Sequence, residues 1–168
     1  MINILFVCMG NICRSPTAEG FMARQMKGSA YQDQISIDSA GTHSYHIGYS
    51  PDPRAIETAA QYGVQLDHLR ARKVCSDDFS NFDLILAMDR TNLANLQSIS
   101  PADSTAALQL MLAYHPEESP NSQPGAEGDE VPDPYYGDIN GFNYMCGLLD
   151  VATAGLLKRL EERLKQVV

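Results

Sequence analysis

Short apolar runs alternate along this chain with segments whose apolar residues recur at helical spacing, and that alternation predicts βαβ units around a parallel sheet. Ile2–Val7 (INILFV) is nearly continuous in apolar residues, as a strand buried on both faces must be. Ile35–Asp38, Asp83–Met88 and Ala107–Leu112 are expected as the second, third and fourth strands, although periodicity alone also allows a helix for the last. A first helix is expected from Ser15-Pro16, with serine as cap and proline in the first turn. Its Ala18, Phe21, Met22 and Met26 share a core-facing side. Further helices are expected over Pro53–Tyr62, stopped by Gly63, over Arg90–Ser98, and over Phe142–Gln166. The last carries Leu148, Leu149, Ala152, Leu156, Leu157 and Leu160 as an apolar stripe. No internal repeat interrupts the pattern.

Composition narrows the class. The 168 residues suit one domain spanning 1–168, with enough chain for a core. Hydrophobic residues make up 44% and charged residues 20%, which excludes a disordered or fibrous chain. With 12 Lys+Arg against 21 Asp+Glu the formal charge is −9, and such a surface repels a phosphate backbone, so nucleic acid is excluded as the principal partner. No apolar run reaches membrane-spanning length. No basic residue precedes Arg14 and no small-residue cleavage site follows the first apolar run, so no leader is expected and a cytoplasmic location is. In that reducing compartment the four cysteines (Cys8, Cys13, Cys75, Cys146) are not expected to build a disulfide framework. His43, His46, His68 and His115 show no zinc spacing with them, and no metal or cofactor is expected. His115–Pro132 holds four prolines and five acidic residues with no Lys or Arg. It reads as a solvated surface loop, or more sharply as a mobile segment gating Asp133.

The chemistry concentrates in Val7–Pro16 (VCMGNICRSP), between a buried strand and a helix start. That is the carboxyl end of a strand, where open parallel sheets bind ligands. The backbone N–H groups of a five-residue loop can curl into a nest, to which the following helix adds its positive end. Gly10 is expected to take a conformation other residues resist, and Asn11 tolerates left-handed geometry while its amide braces the loop. The nest suits a tetrahedral oxyanion, and Arg14 would close it with a bidentate fork. Cys8 would lie beneath, its thiolate favoured by the same groups and by the Ser15 hydroxyl. Cys-x5-Arg alone is a weak signal, since a cysteine after a strand is more often a small core hydrophobe. The strand before it, Gly-Asn within and Ser-Pro after it strengthen the functional reading.

Val131–Asp138 (VPDPYYGD) supplies what such a nucleophile needs. Displacing an ester at phosphorus creates an alkoxide or phenoxide, which needs a proton, and Asp133 is the candidate donor. Pro132 and Pro134 stiffen the loop that presents it. Tyr135 and Tyr136 offer flat walls for an aromatic group. In isolation the same stretch would be a turn with surface aromatics.

VCMGNICRSPTAE, IDSAGT, SPDPRA, FDLILAMDRTNL and VPDPYYGD together resemble the landmarks of the low-molecular-weight protein tyrosine phosphatase family over essentially the whole chain. The resemblance implies a flavodoxin-like, three-layer α/β fold with a four-stranded parallel sheet in order 2-1-3-4 and helices on both faces. It implies Cys8 as nucleophile, Arg14 as phosphate clamp and Asp133 as general acid, with Met9, Gly10, Asn11, Ile12, Cys13, Ser15 and Ser39 forming or supporting the phosphate loop. Tyr45, Tyr135 and Tyr136 would wall the pocket, with Met9 and Ile12 at its rim. It also implies a phosphocysteine intermediate, phosphotyrosine proteins as substrates, a tyrosine kinase among them, and a monomer or weak dimer. In this family paired cysteines shield the nucleophile by a reversible disulfide, so Cys13 is either that partner of Cys8 or simply a small buried side chain. Cys75 and Cys146 are expected to be packed or inert. Two departures stand out: His68 is shifted by one position from the family's polar residue and is assigned no role, and the 115–132 connection is longer than usual.

Three other readings compete. An arsenate reductase of this fold needs two further cysteines close together, whereas Cys75 and Cys146 lie 71 residues apart. Phosphoarginine phosphatases carry Thr where Ile12 stands and lack the Tyr-Tyr pair. A non-catalytic phosphotyrosine-binding module would need neither Cys8 nor Asp133.

Overall fold

The structure, a computed structural model, describes residues 1–116 and 128–166. Most of the acidic connection, and with it the expected gating of Asp133, lies outside the described residues. The elements follow in the order β1 (Ile2–Cys8), α1 (Arg14–Met26), β2 (Ile35–Gly41), α2 (Pro53–Gln61), α3 (Asp78–Asn81), β3 (Leu84–Ala87), α4 (Arg90–Ile99), β4 (Ala107–Leu110) and α5 (Ile139–Lys165). The strands form one parallel sheet in the order β2-β1-β3-β4. This is the flavodoxin-like arrangement that the family resemblance implies.

Alternation along β1 sorts the core. Ile4, Phe6 and Cys8 pack with α1, α2 and α5, through Ala18, Phe21, Met22, Ala55, Ala59, Phe142 and Leu149. Leu5 and Val7, with Ile85 and Ala87 of β3, pack on the other face against Phe79 of α3 and Leu96 of α4. Burial on both faces is why β1, apart from Asn3, and β3 read as apolar runs. The chain leaves β1 toward β2 on one side and β3 on the other. The crevice at that reversal opens beyond the carboxyl ends of β1 and β3, where Cys8 and Met88 stand.

Several boundaries differ from expectation. β2 runs on to Gly41 because Ser39, Ala40 and Gly41 pair with Phe6, Val7 and Cys8, which their polarity and size conceal. β4 ends at Leu110 and gives way to a 3-10 turn over Met111–Tyr114. That turn fits against α5 because Gly155 has no Cβ, which would lie 2.0 Å from Tyr114 O. α5 begins at Ile139, where Asp138 Oδ1 accepts from Asn140 N–H at 3.0 Å, earlier than its apolar stripe suggests. α1 begins at Arg14 and Ser15 is not its cap; the N-cap is Cys13, without a side-chain cap bond. The one-turn α3 had no periodic signal. Among the described residues no helix is long and apolar enough to cross a membrane.

Candidate active site

Residues 9–13 turn between β1 and α1. The conformational burden expected of Gly10 falls on Asn11, whose φ of 56° lies in the left-handed region; Gly10 does not have positive φ. Asn11 is held there on three sides: its Nδ2 donates to Ser15 Oγ and Ser39 Oγ, each at 2.9 Å, and its Oδ1 accepts from Arg72 N–H at 2.9 Å. Gly10 matters for space instead, since a Cβ there would stand 3.0 Å from Cδ2 of His46. Flanking segments take up the loop's carbonyls. Thr42 N–H donates to Cys8 O (2.9 Å), His43 N–H to Met9 O (2.9 Å) and Asp52 N–H to Ile12 O (2.7 Å). β2 approaches so closely that a Cβ on Gly41 would lie 2.6 Å from Met9 O. With these carbonyls engaged by protein, the loop's N–H groups are the backbone groups left to serve an anion.

Cys8 and Arg14 are almost fully buried, 3% and 2% exposed. Cys8 Sγ lies 3.0 Å from Ser15 Oγ, which also reaches Ala40 O at 3.3 Å. Asn11 already donates to this hydroxyl, so its one proton is free to serve either the carbonyl or a thiolate. Arg14 donates through Nη1 to Asp89 Oδ2 at 2.5 Å and Val131 O at 3.2 Å, and through Nη2 to Asp133 Oδ2 at 3.2 Å. Burial pulls the guanidinium down, but Cys8, Asp89 and Asp133 outweigh it and raise it above its ordinary value. Asp133 Oδ1 in turn accepts from Tyr135 N–H at 3.1 Å, a tight turn within the proline bracket.

Cys8, Arg14 and Asp133 line one cavity of about 290 Å³, together with Met9, Gly10, Ile12, Cys13, Tyr45, Tyr135 and Tyr136. Ser15 and Ser39 are not part of this lining; both hold Asn11. Two larger depressions, about 480 Å³ beside Glu19 and His68 and about 410 Å³ beside Lys73 and Cys75, contain neither Cys8 nor Asp133. The smaller cavity is where the Cys8 thiol, the Arg14 guanidinium and the Asp133 carboxyl converge. Tyr136 is 93% exposed and meets Tyr135 edge-on at 4.9 Å, while Tyr45 stacks on His43 at 5.5 Å. All four cysteines are free thiols. Burial, then Asp52 and Cys8, push the Cys13 thiol far up, so it stays protonated beside Cys8. Burial, with Asp150, pushes the core thiol of Cys146 up to about 12, whereas Cys75 is exposed rather than packed. Among the described residues no three His, Cys, Asp or Glu side chains cluster as metal ligands.

Sequence reasoning missed several contributors. Asp89 had only the signal of a residue before a helix, yet it buttresses Arg14. His46 joins the cavity wall between Tyr49 and Tyr135, at 5.9 and 6.3 Å between ring centroids. Arg54 pairs with Asp52 and donates to Tyr135 O at 3.1 Å and Gly137 O at 3.3 Å, tying α2 to the segment after Asp133. Glu19 closes the support network, with Ser39 Oγ donating to its Oε2 at 2.6 Å.

Burial, with Asp38 adding to it and Ser39 and Arg72 opposing, raises Glu19 from 4.5 to about 7. The native state therefore holds this proton more tightly than the unfolded chain. The penalty is absent below the ordinary carboxylate value, grows as pH rises from 4.5 to 7, and is complete above. Glu19→Gln keeps an acceptor for Ser39 and removes the charge. It should stabilise the protein at pH 8 by about 1–2 kcal/mol, discounted for partial exposure. Denaturant melts should show that gain shrinking to nothing as the pH is lowered below the ordinary carboxylate range.

The fold and the site define a parallel-sheet α/β protein with a buried thiol and guanidinium facing a carboxyl. Residues 3–166 match the family model "Low molecular weight phosphotyrosine protein phosphatase". A protein of that name from Schizosaccharomyces pombe is 42% identical over 142 residues, 84% of this chain and 85% of the relative. A crystal structure of a protein tyrosine phosphatase from Entamoeba histolytica, with Hepes in its active site, superposes with a TM-score of 0.84 at 37% identity, covering 96% of this chain and 98% of that one. A Drosophila arginine phosphatase superposes with a TM-score of 0.81 at 31% identity, covering 94% and 96%. The chain belongs to the low molecular weight phosphotyrosine protein phosphatase family.

Proposed function

We propose that residues 1–168 act as one phosphatase domain hydrolysing phosphotyrosine and aryl phosphates through a phosphocysteine on Cys8, with cytoplasmic phosphoproteins, a tyrosine kinase among them, as substrates. The observation that carries this is the convergence of Cys8, the Arg14 fork and Asp133 in one cavity with tyrosines at its mouth. The Cys8 thiolate attacks phosphorus in line; the S–P bond forms as the P–O bond to the phenol breaks, and Asp133 gives the leaving oxygen its proton. Asp133, now a carboxylate, takes a proton from water, whose oxygen attacks phosphorus and frees inorganic phosphate and the thiolate. The loop amides and Arg14 hold the charge on the equatorial oxygens throughout. A phosphate replaces Asp133 on Nη2 of Arg14, which turns the carboxyl toward the leaving group. Ser15 steadies the thiolate when Cys8 departs as leaving group. A reversible Cys8–Cys13 disulfide belongs to the same reading: the two thiols lose two electrons to an oxidant such as peroxide, and added thiol restores them.

Rates on p-nitrophenyl phosphate, a phosphotyrosine peptide, phosphoarginine and arsenate test the assignment. The expected result is turnover of the first two with a phosphorylated Cys8 trapped by acid quench. The solved arginine phosphatase relative makes phosphoarginine the competing arm, and preferential hydrolysis of that substrate would overturn the aryl reading. Ile12 and the Tyr135–Tyr136 pair, all beside the cavity, favour a flat aromatic over a guanidinium.

A further inference from the structure

Asp89 and Arg90 are adjacent at the start of α4, and their side chains serve different partners. Asp89 Oδ2 receives Arg14, while its Oδ1 accepts from Asn92 N–H at 2.7 Å and caps the helix. Arg90 meets the segment that leads into Asp133. Its Nη2 pairs with Asp129, its Nε lies 3.4 Å from Glu130 Oε1, and its backbone N–H donates to that same oxygen at 3.3 Å. One residue on, Val131 is fully buried and pinned from both sides: its N–H donates to Met88 O at 2.8 Å and its O accepts from Arg14 at 3.2 Å. Residues 88–90 are thus a dock for residues 129–131. Pro132 and Pro134 then restrict how far the chain can depart from the course set at Val131.

The charges explain why the dock needs Arg90. Asp89, Asp129, Glu130 and Asp133 bring four carboxyls to this seam, and Arg14 is committed to Asp89 and Asp133. Arg90 is the cation that meets the other two. Asp129 Oδ1 is buried without a hydrogen-bond partner among the described residues, so Asp129 depends on Arg90 for compensation. Without it, adjacent carboxylates repel and water competes for the segment.

We infer that Arg90 is a positioning residue: by clamping Asp129 and Glu130 it sets where the Asp133 carboxyl stands over the leaving oxygen, without itself touching substrate. The inference rests on the acid role proposed for Asp133.

The test compares kcat/KM over aryl phosphates from p-nitrophenyl to phenyl phosphate for Arg90→Ala, Arg90→Lys and the double variant Asp129→Asn/Glu130→Gln. Arg90→Ala should lose about tenfold on phenyl phosphate and less than about twofold on p-nitrophenyl phosphate, since only the former leaving group needs the proton. The carboxamide variant attacks the other half of the clamp and should show the same skew. Inhibition by inorganic phosphate should not weaken in any of them, which also reports an intact Cys8–Arg14 loop. Arg90→Lys should recover part of the loss, because an ammonium meets one carboxylate at a time. In an Asp133→Ala background Arg90→Ala should cost nothing further. Equal losses across leaving groups, or a loss that persists without Asp133, would overturn the clamp and leave the acid role of Asp133 standing. A flat leaving-group dependence for Asp133→Ala itself would remove the acid role, and the clamp's purpose with it.

Discussion

Cys8→Ser should yield a folded protein that binds phosphate and does not turn over. The alcohol is not ionised near neutrality, and no base within the loop is placed to make it so. Ser15 offers a hydroxyl 3.0 Å from the sulfur, and that group cannot take a proton on balance. The loss in kcat should be on the order of 10⁴-fold or more, as when other enzymes lose a nucleophile. Phosphate affinity is a separate matter. The supports of the loop are the Asn11 bonds to Ser15, Ser39 and Arg72, and the buttress of Arg14 is Asp89 and Val131 O; neither set runs through the sulfur. Calorimetric titration with inorganic phosphate should therefore give an affinity within about tenfold of the wild type, a difference under about 1.4 kcal/mol. Residual turnover above about a hundredth of the wild-type rate would show that another group attacks phosphorus.

Asp133→Ala should split substrates by their leaving groups. Phenol from phenyl phosphate or tyrosine departs poorly as an anion, and losing its proton donor should cost about 10²–10⁴-fold in kcat/KM. p-Nitrophenolate is stabilised by its own ring and should suffer far less. The variant also removes a carboxylate from Nη2 of Arg14, so phosphate should bind somewhat more tightly, because nothing has to be displaced from the fork. A weaker phosphate interaction together with uniform losses on all substrates would mean that Asp133 serves the loop's structure rather than the leaving group.

Much of this site is written in local sequence. The strand before Cys8 is visible because burial on both faces demands a nearly continuous apolar run, broken in β1 only by Asn3 near its start. Cys8 and Arg14 are legible because loop length, a following helix and a fork-shaped cation are local features. Asp133 is legible because two prolines bracket it. The sequence offers both Gly10 and Asn11 for the loop's unusual backbone, yet Asn11 carries the left-handed turn, and only its contacts explain why.

What the chain determines by itself, then, is its run of strands and helices and the local pieces of the loop, since periodicity and backbone restrictions act between near neighbours. Tertiary structure decides how those pieces are held. Asn11 reaches Ser39 and Arg72, 28 and 61 residues away, and Arg14 reaches Asp89 and Asp133, 75 and 119 residues away. Arg90 meets Asp129 across 39. Such pairings leave no period or spacing in the sequence, because a charge finds its partner through the folded sheet and not along the chain.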